Sequence, residues 1–170
     1  NPASENEIIL CLNYGGLYGI NNINHFMQEN NNGKEIRRGI QRYKVGDPIL
    51  FNDSADAFFV KNKEQVPVIY NNMKGKIVDF RLVEAGKVTE RVQFDIEIEK
   101  PLMNLETEDM DFQVIGVSDK GNSIIRFDVY KNKSSDEDDD NVSKNMVPFQ
   151  IAYAVSIHKA QGLEYDSVKI

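Results

Sequence analysis

IAYAVSIHKAQGLEYDSVKI (151–170) starts as an apolar run, stops on Ser156 and His158, turns through HKAQG, and resumes as the alternating SVKI. Ile170 falls where a strand should continue or turn. A strand ending this way brings a hydroxyl and an imidazole to the carboxyl end of a sheet, where α/β proteins bind ligands. Gly162, four residues after His158, permits a tight turn and close approach of the backbone. Glu164 then stands where it can accept from a ribose hydroxyl or hold a water near phosphates. The plainer reading of the same residues is a turn cap at a strand–helix junction.

A second segment of the same kind opens the chain. EIILCLN (7–13) reads as a short buried strand, and Gly15, Gly16 and Gly19 punctuate its end. Ile20, Ile23, Phe26 and Met27 then fall at helical spacing and predict one apolar helix face, closed by the turn-rich 30–33. Strand, glycine turn and helix in that order begin an α/β unit. Asn24 and His25 read as ordinary surface or cap residues of that helix.

Between these segments the texture changes. Residues 34–130 alternate in short runs separated by turn signals at Gly46-Asp47-Pro48, at 71–75, at 85–87 and at 119–122. Turns every 8–12 residues predict a small β-barrel or sandwich. MVPFQIAYAVSIH (146–158) is apolar again and reads as one buried strand. The predicted architecture is therefore α/β with a β-barrel insertion. Residues 1–33 and 145–170 belong to the α/β part and 34–144 to the insert.

Composition sets bounds on partners. The chain has 170 residues, is 41% hydrophobic and carries a net charge of −7. That is enough apolar content for a real core, and no run approaches the roughly 20 apolar residues of a membrane span. Cys11 is the single cysteine, which favours a reducing cytoplasm and reads as a small buried hydrophobe. The acidity is uneven. SSDEDDDN (134–141) holds five carboxylates, without which the balance moves from −7 to −2. That run predicts a mobile, rapidly exchanging loop over 134–143. KEIRRGIQRYK (34–44) is basic and 61–91 has a basic excess, so any DNA affinity of the insert is expected from 34–44 and 74–91, weak and salt-sensitive, with Arg37 and Arg38 in particular.

The 151–170 segment closely resembles motif V of superfamily 1 DNA helicases of the UvrD and RecD kind, an H-[KR]-[AS]-Q-G-x-E-[FYW] pattern after a strand. Ser156, His158, Lys159, Gln161, Gly162, Glu164 and Tyr165 fall in register with it. IILCLNYGGLYGINNINHFMQ (8–28) resembles motif IV of the RecD-like branch, without the Lys or Arg common in its turn. VGDPILFND (45–53) and IYNNMKGKIVDF (69–80) are similar to elements of the SH3-like barrel inserted at this place, with Asn72 where a glycine is usual. Asn reaches positive φ more readily than most residues.

The resemblance implies a fold and a role. The fold would be part of the second RecA-like (P-loop NTPase) domain, the UvrD-like helicase C-terminal domain, with an SH3-like small barrel. Ser156, His158 and Lys159 would touch single-stranded DNA, while Gln161, Gly162 and Glu164 would face ATP and Mg2+. The N-terminal RecA-like domain of the same protein would supply the other wall of the cleft. No G-x-x-x-x-G-K-[ST] occurs in these residues, so no phosphate-cradling loop is present and tight binding of ATP or Mg2+ is not expected of them alone. The chain reads as cut from a larger protein. Zinc spacing, an EF-hand loop and a G-x-S-x-G elbow are all absent from the sequence. The rival expectation is a free-standing β-barrel module that binds protein or nucleic acid without ATP.

Overall fold

The computed structural model describes residues 7–59, 65–85, 89–102, 105–106, 112–130 and 146–170. In chain order these form β1 (Glu7–Cys11), α1 (Ile20–Glu29), β2 (Glu35–Arg38), β3 (Gln41–Lys44), β4 (Pro48–Phe51) and β5 (Ala55–Phe59). β6 (Gln65–Ile69), β7 (Lys74–Ala85), β8 (Thr89–Ile98), β9 (Leu105–Glu106), β10 (Phe112–Val117) and β11 (Ser123–Tyr130) follow. β12 (Phe149–Ile151), β13 (Ala154–Ser156), α2 (Ile157–Ala160) and β14 (Ser167–Lys169) complete the order. The acidic loop at 134–143 and the tip of the hairpin expected at 85–87 lie outside the described residues.

The largest sheet has the order β10-β11-β8-β7-β4-β12, with every pairing antiparallel. Alternation builds it. In β11 the burial pattern is strictly two-fold, with Ser123, Ile125, Phe127 and Val129 inward. The inward residues of β4, β7, β8 and β11 form one core with Tyr43 and Phe149. Phe94 sits at its centre, 5.3 Å edge-on from both Tyr43 and Phe149. Gly75 is needed where β7 crosses this core. A Cβ there would lie 2.9 Å from Ile96 and 3.1 Å from Ile49. Asn72 reaches φ 67° in the turn before β7, the conformation expected of the residue replacing a glycine.

β13, β1 and β14 form a separate, all-parallel sheet with β1 in the middle. Because β1 is central, both its faces must be covered, which explains its unbroken apolar run. Ile8 and Leu10 face Leu50 of β4, together with Ala152 and Val155. Ile9 and Cys11 face Ile20 and Ile23 of α1.

These observations correct the fold expected from sequence. Among the described residues there are fourteen strands and two helices, one of only four residues. One face of the parallel sheet is covered by a strand residue, Leu50, where a RecA-like layer would place helices. The large sheet is also open. Its edges, β10 and β12, share no ladder, although register shifts at Val114/Gly116 and Ile77/Asp79 bend it. The chain is a mostly-β protein, and neither an α/β RecA-like fold nor a closed SH3-like barrel describes it. The expected single strand over 146–158 is two strands. β12 pairs with β4 in the antiparallel sheet, and β13 crosses into the parallel sheet beside β1.

Two buried polar devices hold the sheets in register. The Asn24 side chain of α1 donates to the carbonyls of Ile151 (3.3 Å) and Ala154 (3.0 Å) and accepts from the Ala154 N–H (2.8 Å). It thereby satisfies the backbone where the chain leaves one sheet for the other. Asp47, fully buried, accepts from Gln28 Nε2 (2.6 Å), Asn31 Nδ2 (2.7 Å), the Lys44 N–H (2.8 Å) and the Tyr153 hydroxyl (2.9 Å). Burial, and then the Asp47 charge beside it, raises the Tyr153 phenol above its ordinary pKa.

Candidate functional site

β1 and β13 run parallel with Cys11 opposite Ser156, so the chain leaves both strands at the same sheet edge. From Ser156 it enters α2 directly. The Ser156 hydroxyl accepts the Lys159 N–H at 3.3 Å, which makes Ser156 the cap of that turn and leaves it buried. His158 is exposed, and Lys159 reaches back to Asn71 Oδ1 at 3.4 Å. Gln161 ends the turn in an extended conformation and points to solvent.

Gly162 adopts φ +82°, and a Cβ there would meet nothing within 4 Å. Glycine is required at this place for the left-handed backbone rather than for space. The Leu163 N–H closes the turn onto the Ala160 carbonyl at 3.0 Å, while Leu163, Ala160 and Tyr165 pack against the cluster around Ile8. Glu164 is exposed. Its carbonyl accepts from Lys74 Nζ at 3.1 Å, and the same ammonium lies 4.5 Å over the Tyr165 ring. Burial, with the Glu99 charge second, pushes the Tyr165 hydroxyl up to about 12. Beside this contact a crevice of about 120 Å³ opens at the seam of the two sheets, lined in part by Leu50, Lys74, Ala152 and Tyr165.

One continuous turn thus carries Ser156, His158, Lys159, Gln161, Gly162 and Glu164. Ser156 and Gly162 shape it, while the side chains of His158, Gln161 and Glu164 face solvent. Lys74 braces it from the antiparallel sheet. Nothing in the spacing of residues 69–80 signals that contact, because it joins positions about ninety residues apart.

Arg37 and Arg38 lie elsewhere, on the β2–β3 hairpin. Arg37 pairs with Glu35 at 2.8 Å, and Arg38 donates to the Val129 (3.2 Å) and Tyr130 carbonyls. The neighbouring cations are also engaged. Lys34 meets Asp79, Arg42 meets His25, and Lys44 donates to the carbonyls of Gln28 and Asn31. In the second basic stretch Lys76 pairs with Glu97, Arg81 with Asp95 and Arg91 with Asp128. Each of these cations thus has a partner within the chain, although Lys34, Arg37 and Arg81 stay largely exposed.

Among the described residues no group of three or more His, Cys, Asp or Glu is placed to hold a metal ion. The sequence holds no G-x-x-x-x-G-K-[ST] element to stand beside this exposed turn. Nor is any helix among the described residues long and apolar enough to cross a membrane. No family model, curated protein or solved structure matches this chain.

Proposed function

We propose that this chain is part of an ATP-dependent superfamily 1 DNA helicase acting in the cytoplasm on single-stranded DNA. Its 156–165 turn is the element between the DNA and the nucleotide. Ser156 shapes that turn, His158 and Lys159 reach the DNA, and Gln161, Gly162 and Glu164 face ATP and its Mg2+. The ATP-hydrolysing domain of the same protein supplies the phosphate-cradling loop, which these residues lack. The observation that carries this reading is the turn itself. A capped four-residue helix and a left-handed glycine present His158, Gln161 and Glu164 to solvent at the edge of two parallel strands.

A second reading draws on the predominance of strand. A β-rich module could bind protein or nucleic acid with no ATP chemistry. The two readings separate on turnover. The whole gene product is expected to hydrolyse ATP faster with single-stranded DNA present, and the isolated 170 residues are expected to show no turnover above background. Turnover that stays with the isolated chain through successive purification steps contradicts the first reading. A whole gene product with no ATPase at all leaves the binding module.

A further inference from the structure

Resting on the reading of the 156–165 turn above, we propose that Lys74 is a positioning residue through which the antiparallel sheet sets the nucleotide-facing side of that turn. Its ammonium donates to the Glu164 carbonyl at 3.1 Å and lies 4.5 Å over the Tyr165 ring. Both contacts draw on a cation with N–H groups to give, and both fall on the last residues of the turn.

That end of the turn needs an outside hold. The Ser156 cap and the bond from the Leu163 N–H to the Ala160 carbonyl close the turn only as far as Leu163. The next ladder begins at Ser167, where β14 pairs with β1, and residues 164–166 belong to no helix or strand. Tyr165 packs on the cluster around Ile8 but also lines the crevice between the sheets, so packing does not enclose it. Glu164 is exposed. A segment in this setting has several backbone arrangements within reach, and a contact made in one of them raises its population.

Lys74 can supply the hold because its own backbone is fixed. It opens β7 and pairs with Leu50 of β4. The turn before it is closed by three bonds. The Asn72 N–H donates to the Phe51 carbonyl (2.8 Å), the Phe51 N–H to the Met73 carbonyl (3.0 Å) and the Met73 N–H to the Tyr70 carbonyl (2.9 Å). A second cation makes the link in the opposite sense, since Lys159 of the 156–165 turn reaches Asn71 Oδ1 at 3.4 Å. The connection between β6 and β7 therefore meets the turn twice, through Asn71 on its DNA-facing side and through Lys74 on its nucleotide-facing side. Lys74 acts through Glu164 and Tyr165, by raising the fraction of molecules in which Glu164 is in place. The phosphate-cradling loop lies in the other domain, so losing Lys74 should lower kcat and leave KM for ATP nearly unchanged.

The test compares Lys74→Met with Lys74→Arg in the whole gene product, by ATPase kinetics and by amide exchange over 161–166. Methionine keeps an unbranched stem and removes the charge. Arginine keeps the charge, the donors and the preference for an aromatic face. Lys74→Met is expected to speed exchange at 164–166 and to lower kcat about 3- to 30-fold, with and without DNA. KM for ATP should stay within about twofold and the melting temperature close to wild type. Lys74→Arg is expected to restore both exchange and kcat. In a Tyr165→Leu background, which keeps apolar packing without the ring, Lys74→Met should cost less than it does alone. An unchanged kcat in Lys74→Met, whatever the exchange does, overturns the positioning role and leaves the helicase reading standing. An arginine variant as slow as the methionine one overturns the cationic contact. A wild-type gene product without ATPase removes the helicase reading itself, and the positioning role with it.

Discussion

Asp47→Ala is expected to destabilise the protein by about 3–5 kcal/mol, the usual cost of breaking a buried charged network from one side. Four donors converge on this carboxylate, from Gln28, Asn31, the Lys44 backbone and Tyr153. Alanine would take an acceptor from all four, although Gln28 Nε2 and Asn31 Nδ2 also donate to the Arg42 and Val45 carbonyls, and each group left unsatisfied costs about 1–3 kcal/mol before relaxation. The network also joins α1 to the β3–β4 turn and to the crossing between β12 and β13, so local failure spreads to both sheets. In a chain of this size the melting temperature should fall by roughly 6–20 °C. Urea unfolding measures the loss directly. Asp53→Ala, at an exposed position, is the control and should change stability by no more than about 0.5 kcal/mol. Equal midpoints for the two variants would mean that the Asp47 network contributes nothing net.

Asn24→Ala is expected to cost about 2–4 kcal/mol, for a related reason. One side chain serves two carbonyls and one N–H at the strand crossing. Without it those backbone groups have no partner in a place water cannot easily reach. The effect should extend to the candidate site, because Ala154 begins the strand that ends in Ser156. Amide exchange at Ala154 is therefore expected to accelerate ahead of exchange in β8, at the centre of the large sheet. Unchanged protection at Ala154 would show that the crossing holds itself.

Residue by residue, local features were legible and long-range ones were not. The β1 run, the α1 helix and the 119–122 turn follow from spacing over a few residues and appear where expected, but the α1 face differs: Phe26 is exposed, while Asn24 and Gln28 are buried beside Ile20. The split of 146–158 does not follow from its own letters. That run is mostly apolar, and the groups at its break are met by Asn24, about 130 positions away. For the same reason Asn24 looked like a surface residue and Asp47 like a turn former. Their partners are distant in sequence, and only the folded chain brings them together. Whether a sheet closes depends on its two edge strands meeting, which no local alternation encodes. The contacts of the cations in the basic runs at 34–44 and 74–91 were not legible for another reason. Charge counts do not record that a cation already has a carboxylate or carbonyl beside it.

The candidate site divides along the same line. The spacing from Ser156 to Glu164 made the turn visible, because a strand end, a cap and a left-handed glycine are local features. The contact of Lys74 with Glu164 and Tyr165 was invisible.

The central claim is that one turn stands between DNA and nucleotide, and its two sides should therefore fail differently. The measurement is ATPase activity of the whole gene product, with and without single-stranded DNA, for His158→Ala and Glu164→Ala alongside melting temperatures. His158→Ala is predicted to reduce the DNA-stimulated rate and leave the basal rate nearly intact. Glu164→Ala is predicted to lower turnover under both conditions, by about 1–3 kcal/mol if a charge-assisted hydrogen bond is lost. Both side chains are exposed, so both variants should melt close to wild type. Equal loss of stability in the two variants, with activity falling only in proportion to unfolded protein, would contradict the account and return these residues to a simple turn cap.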